Sequence, residues 1–434
     1  MDTFQPHELK VKIDVRHALL AVAKALDFVG VDDLHHGHRV AYMAYECASV
    51  LNWPDDKKQF AYFAGLIHDC GVSSSEEHLR LLKLMQPEGA NSHCERGYQA
   101  LVKCPLLDKF AASVRYHHTP WIESQSLVLS AFERDIAALI FLADRTDFLR
   151  ARYTQGYHQE LITLHESLVA ENLRVHSGSL FEPNMVEAMC QLVNKDGFWY
   201  SMDVNSIEQM AVDFEINHFY DKELDLDGVI QLARFLAKIV DAKSPFTFHH
   251  SDKVALLAKL VALDCGVPAL DAELLYVAGL LHDVGKLKTP DALLHKEGKL
   301  TKEEYSIVKR HTVDTENTLK CFFPKSVIGE WASNHHERLD GSGYPFSKRQ
   351  EELDLPSRVL AIVDVFQALT QKRPYRGSLK LTEVFEIMAP MVEQGKLDSY
   401  VYGVLQADAD SFYQLSTQEY NEMELPALSQ HGSI

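Results

Sequence analysis

Apolar residues recur along this chain with a helical period. Between His250 and Cys265, the residues Val254, Leu257, Val261 and Leu263 fall on or near one face, and Gly266 follows as a stop. Asp271 precedes a second helical stretch that runs through Leu281. Thr301-Lys-Glu-Glu304 has the form of a capping box, in which the first and fourth residues serve each other's backbone amides. It predicts a helix that starts there and carries His311 three turns on. Pro356-Ser357 opens another helix, through Asp364 to about Thr370. No clear run of alternating strand residues competes, so the pattern predicts an all-α protein.

An internal repeat lies under this pattern. Ala64-Gly-Leu-Ile-His-Asp-Cys-Gly71 matches Ala278-Gly-Leu-Leu-His-Asp-Val-Gly285 at an offset of 214, and the same offset aligns His35-His36-Gly-His-Arg-Val-Ala41 with His249-His250-Ser-Asp-Lys-Val-Ala255. Further along, His93 pairs with His311, His117-His118 with His335-His336, and Asp144 with Asp364, at offsets of 218 to 220. So many polar positions in order are not a chance match. The chain therefore reads as two tandem copies of one helical domain, residues 1–193 and 226–434. The mixed, acidic segment 194–225 is expected to join them as a linking helix or loop.

Composition narrows the class. A length of 434 residues is more than one core usually serves and suits two domains of roughly 200 residues. No run of about 18 apolar residues appears, so no membrane span is expected. The first residues, Met1-Asp-Thr-Phe-Gln-Pro-His7, lack a basic-then-apolar signal pattern, and a cytoplasmic protein is expected. Seven scattered cysteines without a CxxC pair fit buried thiols. A net charge of −19 opposes a role on a nucleic acid polymer, which normally asks for a basic face. A small phosphate ligand stays compatible, because metals and a few basic side chains can make a pocket locally positive.

The chemistry concentrates in His250, His282, Asp283, His311, His335, His336 and Asp364. Imidazoles with carboxylates suit iron, manganese or zinc, and the absence of cysteine disfavours a structural zinc knot. Seven ligands exceed one ion. With Asp283 bridging, they supply eight contacts, four for each of two ions. Two ions about 3.5–4 Å apart can hold a bridging hydroxide and polarise a phosphoryl group for in-line attack.

These residues carry a family pattern. The chain resembles the HD superfamily of metal-dependent phosphohydrolases, and its second half is similar to the HD-GYP subfamily. The matching stretches are His282-Asp-Val-Gly-Lys286, His311, His335-His-Glu-Arg-Leu-Asp-Gly-Ser-Gly-Tyr-Pro345, Asp364-Val-Phe-Gln-Ala-Leu-Thr370 and Arg373-Pro-Tyr-Arg376, within residues 226–400. The resemblance implies a phosphodiesterase that linearises a bacterial cyclic dinucleotide, cyclic di-GMP or 3'3'-cyclic GMP-AMP, with two divalent ions, iron or manganese. It implies that His250, His282, Asp283 and Asp364 hold one ion, and Asp283, His311, His335 and His336 the other. Lys286 would meet the scissile phosphate, and Arg373 and Arg376 would clamp phosphates with their guanidinium forks. Gly341, Gly343 and Pro345 shape a loop that presents Tyr344 either to the substrate pocket or to a signalling partner.

The chain departs from the pattern in places. Some members carry a glutamate four residues before the first metal histidine, for a third ion. Phe246 stands there, so two ions are expected. Gln367 replaces a carboxylate in the DVFDALT stretch. If its side chain meets a base, guanine preference relaxes and a mixed substrate gains ground. The first copy keeps His36, His68, Asp69, His93, His117, His118 and Asp144, with Asp32 four residues before His36, and so offers a second metal site. It has Val72 in place of the lysine, His118-Thr-Pro-Trp121 in place of the GYP loop, and only Arg150 and Arg152 near the place of the arginine pair. A regulatory or dimerising role is expected for it; a homodimer is an expectation without an assigned interface. The competing functions are a cyclic-dinucleotide-binding signalling module with little turnover, and another HD-type nucleotide phosphohydrolase.

Overall fold

A computed structural model describes residues 10–26, 35–81, 84–87, 89–154, 159–214, 221–243, 250–296, 298–324, 326–372 and 377–418. The protein is all-α, as its periodicity predicts. Among the described residues the only sheet pairs Lys10–Asp14 antiparallel with Asp221–Asp225. None of the described helices is long and apolar enough to cross a membrane. The seven cysteines are free thiols, all buried except Cys321.

The chain forms two compact units, and their boundary is not that of the repeat. One unit comprises residues 1–245 with 281–329; the other comprises 246–280 with 330–434.

In the first unit, helix His36–Val50 packs on helix Asp55–Ile67. The approach is close because residue 65 is glycine: a Cβ there would meet Ala41 Cα at 2.9 Å. Helix Ala131–Thr154 runs through the core, with every residue from Ile136 to Arg150 buried. Full burial of its Leu139, Ile140, Phe141 and Leu142 stabilises the unit by about 1.5–3 kcal/mol per side chain. The segment following Asn194 is built into this unit. Helix Val204–Asp213 receives the Tyr62 hydroxyl on Ile207 O, and the Arg16 guanidinium reaches Val212 O and Phe214 O. Helix Leu226–Lys243 packs against the turn Val284–Lys288 of the same unit.

The capping box is present as read: Thr301 Oγ1 accepts from Glu304 N, and Glu304 Oε2 from Thr301 N. That helix is shorter than expected. It ends at Lys309, and His311 opens a separate helix, His311–Phe322.

In the second unit, helix His250–Asp264 ends before Gly266, whose φ of 80° explains the glycine. It lies against helix Leu355–Thr370, which Asp354 caps through Ser357 N. The helix expected after Asp271 spans Ala269–Leu281 and takes Asp271 into its first turn.

Candidate metal centres

The first copy brings all seven of its candidate ligands together. His68 and Asp69 follow the Asp55–Ile67 helix, and His117 and His118 follow helix Ala111–Tyr116. His93 lies in helix Asn91–Val102 and Asp144 in the long core helix. His93 Nε2 and His117 Nε2 stand 3.3 and 3.7 Å from Asp69 Oδ1, while His68 Nε2 stands 3.5 Å from Oδ2. Across the cluster, His36 Nε2 is 3.3 Å from Asp144 Oδ1, and His118 Nε2 is 3.7 Å from Oδ2. Donor atoms of Asp69, His93, His117 and His118, and again of His36, His68 and Asp69, lie within 4.8 Å of one another.

The donor chemistry fits cations. Nδ1–H of His68 donates to Gly65 O and that of His117 to Val114 O, so each Nε2 offers its lone pair inward. His68 Nε2 is buried with no hydrogen-bond partner. Burial opposes ionisation of Asp69, yet His68, His117 and His93 hold its carboxyl well below the usual range.

An ionic layer stands behind this cluster that sequence reasoning missed. The Arg145 guanidinium donates to both oxygens of Asp144 at 2.9 Å. Asp147, fully buried, accepts from His36 Nδ1 at 2.7 Å, Arg39 Nε at 2.8 Å and Arg150 Nε at 2.6 Å. Arg150, which lies near the place of the second copy's arginine pair, is thus committed to a buried carboxylate.

The second copy repeats the same local devices in both compact units. In the first unit, His282 Nε2 stands 3.3 Å from Asp283 Oδ2, and His311 Nε2 stands 3.5 Å from Oδ1. Thr315 ties the turn by donating to His282 O and accepting from Gly285 N, both at 3.0 Å. Gly285 is obligatory, because a Cβ would lie 2.0 Å from His311 O; its counterpart Gly71 meets His93 O at the same distance. Lys286 donates to Asp283 Oδ2. Despite burial, His282 and Lys286 draw the Asp283 carboxyl far down, while burial and Lys286 push His311 down to about 4.

In the second unit, His250 Nε2 stands 3.6 Å from Asp364 Oδ1, and His336 Nδ1 stands 3.9 Å from Oδ2. Nδ1–H of His335 donates to Ala332 O at 2.6 Å, the bond that its counterpart His117 makes. The Tyr344 ring lies 4.8 Å from that of His336, and its backbone N–H donates to His336 O. Glu337, 1% exposed, accepts the amides of Phe346 and Lys348 at 2.7 and 3.0 Å and so pins the loop. Gly343 permits the fold of that loop, since a Cβ would fall 2.4 Å from Arg338 N.

One expectation is corrected. Gln367 does not face a substrate base: it is fully buried, and its Oε1 accepts from His250 Nδ1. The offset of 220 that pairs Asp144 with Asp364 also pairs Asp147 with Gln367, a signal present in the sequence. Arg373, Arg376, Phe246 and Asp32 lie outside the described residues.

Two matches to the HD domain family cover residues 34–149 and 234–401, one on each copy. The chain belongs to the HD-domain phosphohydrolases, with an HD-GYP second half. It is 45% identical over 417 residues to 3'3'-cGAMP-specific phosphodiesterase 1 of Vibrio cholerae, covering 96% of this chain and 97% of that protein. A cyclic di-GMP phosphodiesterase of Thermotoga maritima is 33% identical over 195 residues, 44% of this chain and 50% of that one. Among solved structures, a cyclic GMP-AMP phosphodiesterase of V. cholerae superposes with a TM-score of 0.61 at 22% identity, over 92% of this chain and 98% of that one. That likeness concerns the fold.

Proposed function

We propose that this protein is a metal-dependent phosphodiesterase that linearises a bacterial cyclic dinucleotide, with 3'3'-cyclic GMP-AMP as the leading substrate and cyclic di-GMP as the second. The observation that carries the substrate is the 45% identity, along essentially the whole of both chains, to a 3'3'-cGAMP-specific enzyme. The functional division follows the repeat: a regulatory or dimerising copy at 1–193, a connector at 194–225 and a catalytic copy at 226–434.

His250, His282, Asp283, His311, His335, His336 and Asp364 are proposed to hold two ions, iron or manganese. The first copy supports this grouping, because its seven equivalents converge within one compact unit. Bound there, the ions supply Lewis acidity toward a phosphoryl oxygen and toward water. Asp283 positions them, having its ionised form favoured by its neighbours. The reaction adds one water across one P–O ester bond: its oxygen joins phosphorus, and the departing sugar oxygen gains the proton. Lys286 offers a cation to the phosphoryl group once its ammonium turns from Asp283, and Arg373 and Arg376 hold the phosphates. Tyr344, whose ring lies tilted against that of His336, borders the substrate or serves a signalling partner.

The first copy is proposed to bind metal through His36, His68, Asp69, His93, His117, His118 and Asp144. It does not turn over a cyclic dinucleotide, since Val72 stands for the lysine and no GYP loop follows His118. The protein acts in the cytoplasm.

The test is a chromatographic substrate panel with the full chain loaded with manganese or anaerobically with iron. The expected result is conversion of 3'3'-cyclic GMP-AMP to a linear dinucleotide, abolished in Asp283→Ala. Tight binding without product would favour the signalling-module alternative. Hydrolysis of mononucleotides alone would favour another HD-type activity.

A further inference from the structure

The two copies differ sharply in what stands behind their first metal histidine. In the first copy, His36 Nδ1 meets the carboxylate of Asp147, which Arg39 and Arg150 neutralise. In the second copy the same places hold neutral or redirected groups. Gln367 replaces Asp147, Thr370 replaces Arg150, and Lys253, in place of Arg39, turns its ammonium to Ser416 O at 2.8 Å. Val365 stands where the first copy has Arg145.

Gln367 is costly as an amide. Its Oε1 accepts from His250, but its Nε2 is buried with no hydrogen-bond partner. A glutamate of the same length would make the same bond but would put a charged oxygen in place of that buried donor. The position has the geometry of a carboxylate and keeps an amide. What the amide changes is charge. A carboxylate on a histidine's distal nitrogen raises the basicity of the imidazole toward a metal, and an amide does so far less.

We infer that Gln367 is a positioning residue that fixes His250 with Nε2 toward the metal while withholding a negative charge, so that the second copy holds its ion at His250 more loosely than a carboxylate would. This rests on the proposed role of His250 as a ligand. The consequence is a more electrophilic and more readily exchanged ion in the copy that performs chemistry.

The experiment is a cobalt(II) titration of the metal-free full chain, read by visible absorption and by the metal-induced rise in Tm. The signal of the second copy is identified by its loss in Asp283→Ala. Gln367→Glu is expected to bind that ion about 10- to 100-fold tighter with a shifted cobalt spectrum, and Gln367→Met about 10- to 100-fold weaker. Gln367→Glu binding no tighter than wild type overturns the inference, whatever Gln367→Met does to folding. An absorption unaffected by Asp283→Ala would instead overturn His250, His282 and Asp283 as ligands.

Discussion

Lys286 lies with its ammonium on Oδ2 of Asp283, one turn away within the Val284–Lys288 segment. Its sequence position promises a phosphate contact, whereas the structure shows it resting on a proposed metal ligand. Both roles fit one cation that leaves the carboxylate when a phosphate arrives. Lys286→Met is therefore expected to lower kcat by about 100-fold, the loss typical of removing one charge-stabilising donor. Metal content should stay at the wild-type level. Metal analysis beside steady-state kinetics checks this, and a variant that loses its ions would make Lys286 structural.

Gly285 and Gly71 answer to one constraint twice. Each lets the His-Asp turn lie against the backbone of the helix bearing the next histidine, with a Cβ 2.0 Å from a carbonyl oxygen. Backbone cannot swing aside as a flexible side chain can. Gly285→Ala and Gly71→Ala are each expected to cost about 3 kcal/mol, the upper range for overpacking. Thermal or urea unfolding of both variants measures it, and a loss below half that size in either would show that the turn relaxes.

The repeat explains why so much of this molecule was legible. His68-Asp69 and His282-Asp283 announce each other, so ligands that are ambiguous singly become a set. The Thr301 box and the Gly266 stop are local chemistry and were readable for that reason. What escaped was the layer behind the ligands. Asp147 and Gln367 occupy equivalent places, but a buried amide and a substrate-reading amide look alike until the partner is seen to be His250. The break between Lys309 and His311 also escaped, because the capping box marks where a helix begins and not where it stops. The strand pair was missed because five-residue strands far apart in the chain give almost no periodic signal.

Glu337 is expected to govern the loop carrying Tyr344. It accepts the amides of Phe346 and Lys348 from a buried position. Glu337→Ala leaves both donors without their acceptor, at a cost of about 2 kcal/mol for bonds to a charged group. Much of that cost should appear as local opening. Hydrogen exchange is expected to speed up at residues 343–348 with little change in helix Leu355–Thr370. Uniform acceleration across the unit would assign Glu337 to global stability instead.

Glu77 gives the first copy a pH dependence. It accepts from Ser73 N at 2.9 Å and from the Arg96 guanidinium at 2.6 Å, anchoring the segment that follows the His-Asp turn. Burial opposes its ionisation, but the Ser73 amide and Arg96 outweigh it, and its carboxyl titrates below the usual value. A carboxyl depressed in the folded state stabilises it above the unfolded pKa of about 4.3, and that contribution fades as pH falls through the lower folded value. Glu77→Gln should therefore lose about 1–2 kcal/mol at pH 7, the scale of a charge-assisted hydrogen bond. As pH falls through the lowered folded value, its stability should converge on that of the wild type. Urea denaturation of both proteins across this range measures the gap, and a gap that stays constant with pH would show that the carboxylate charge contributes nothing.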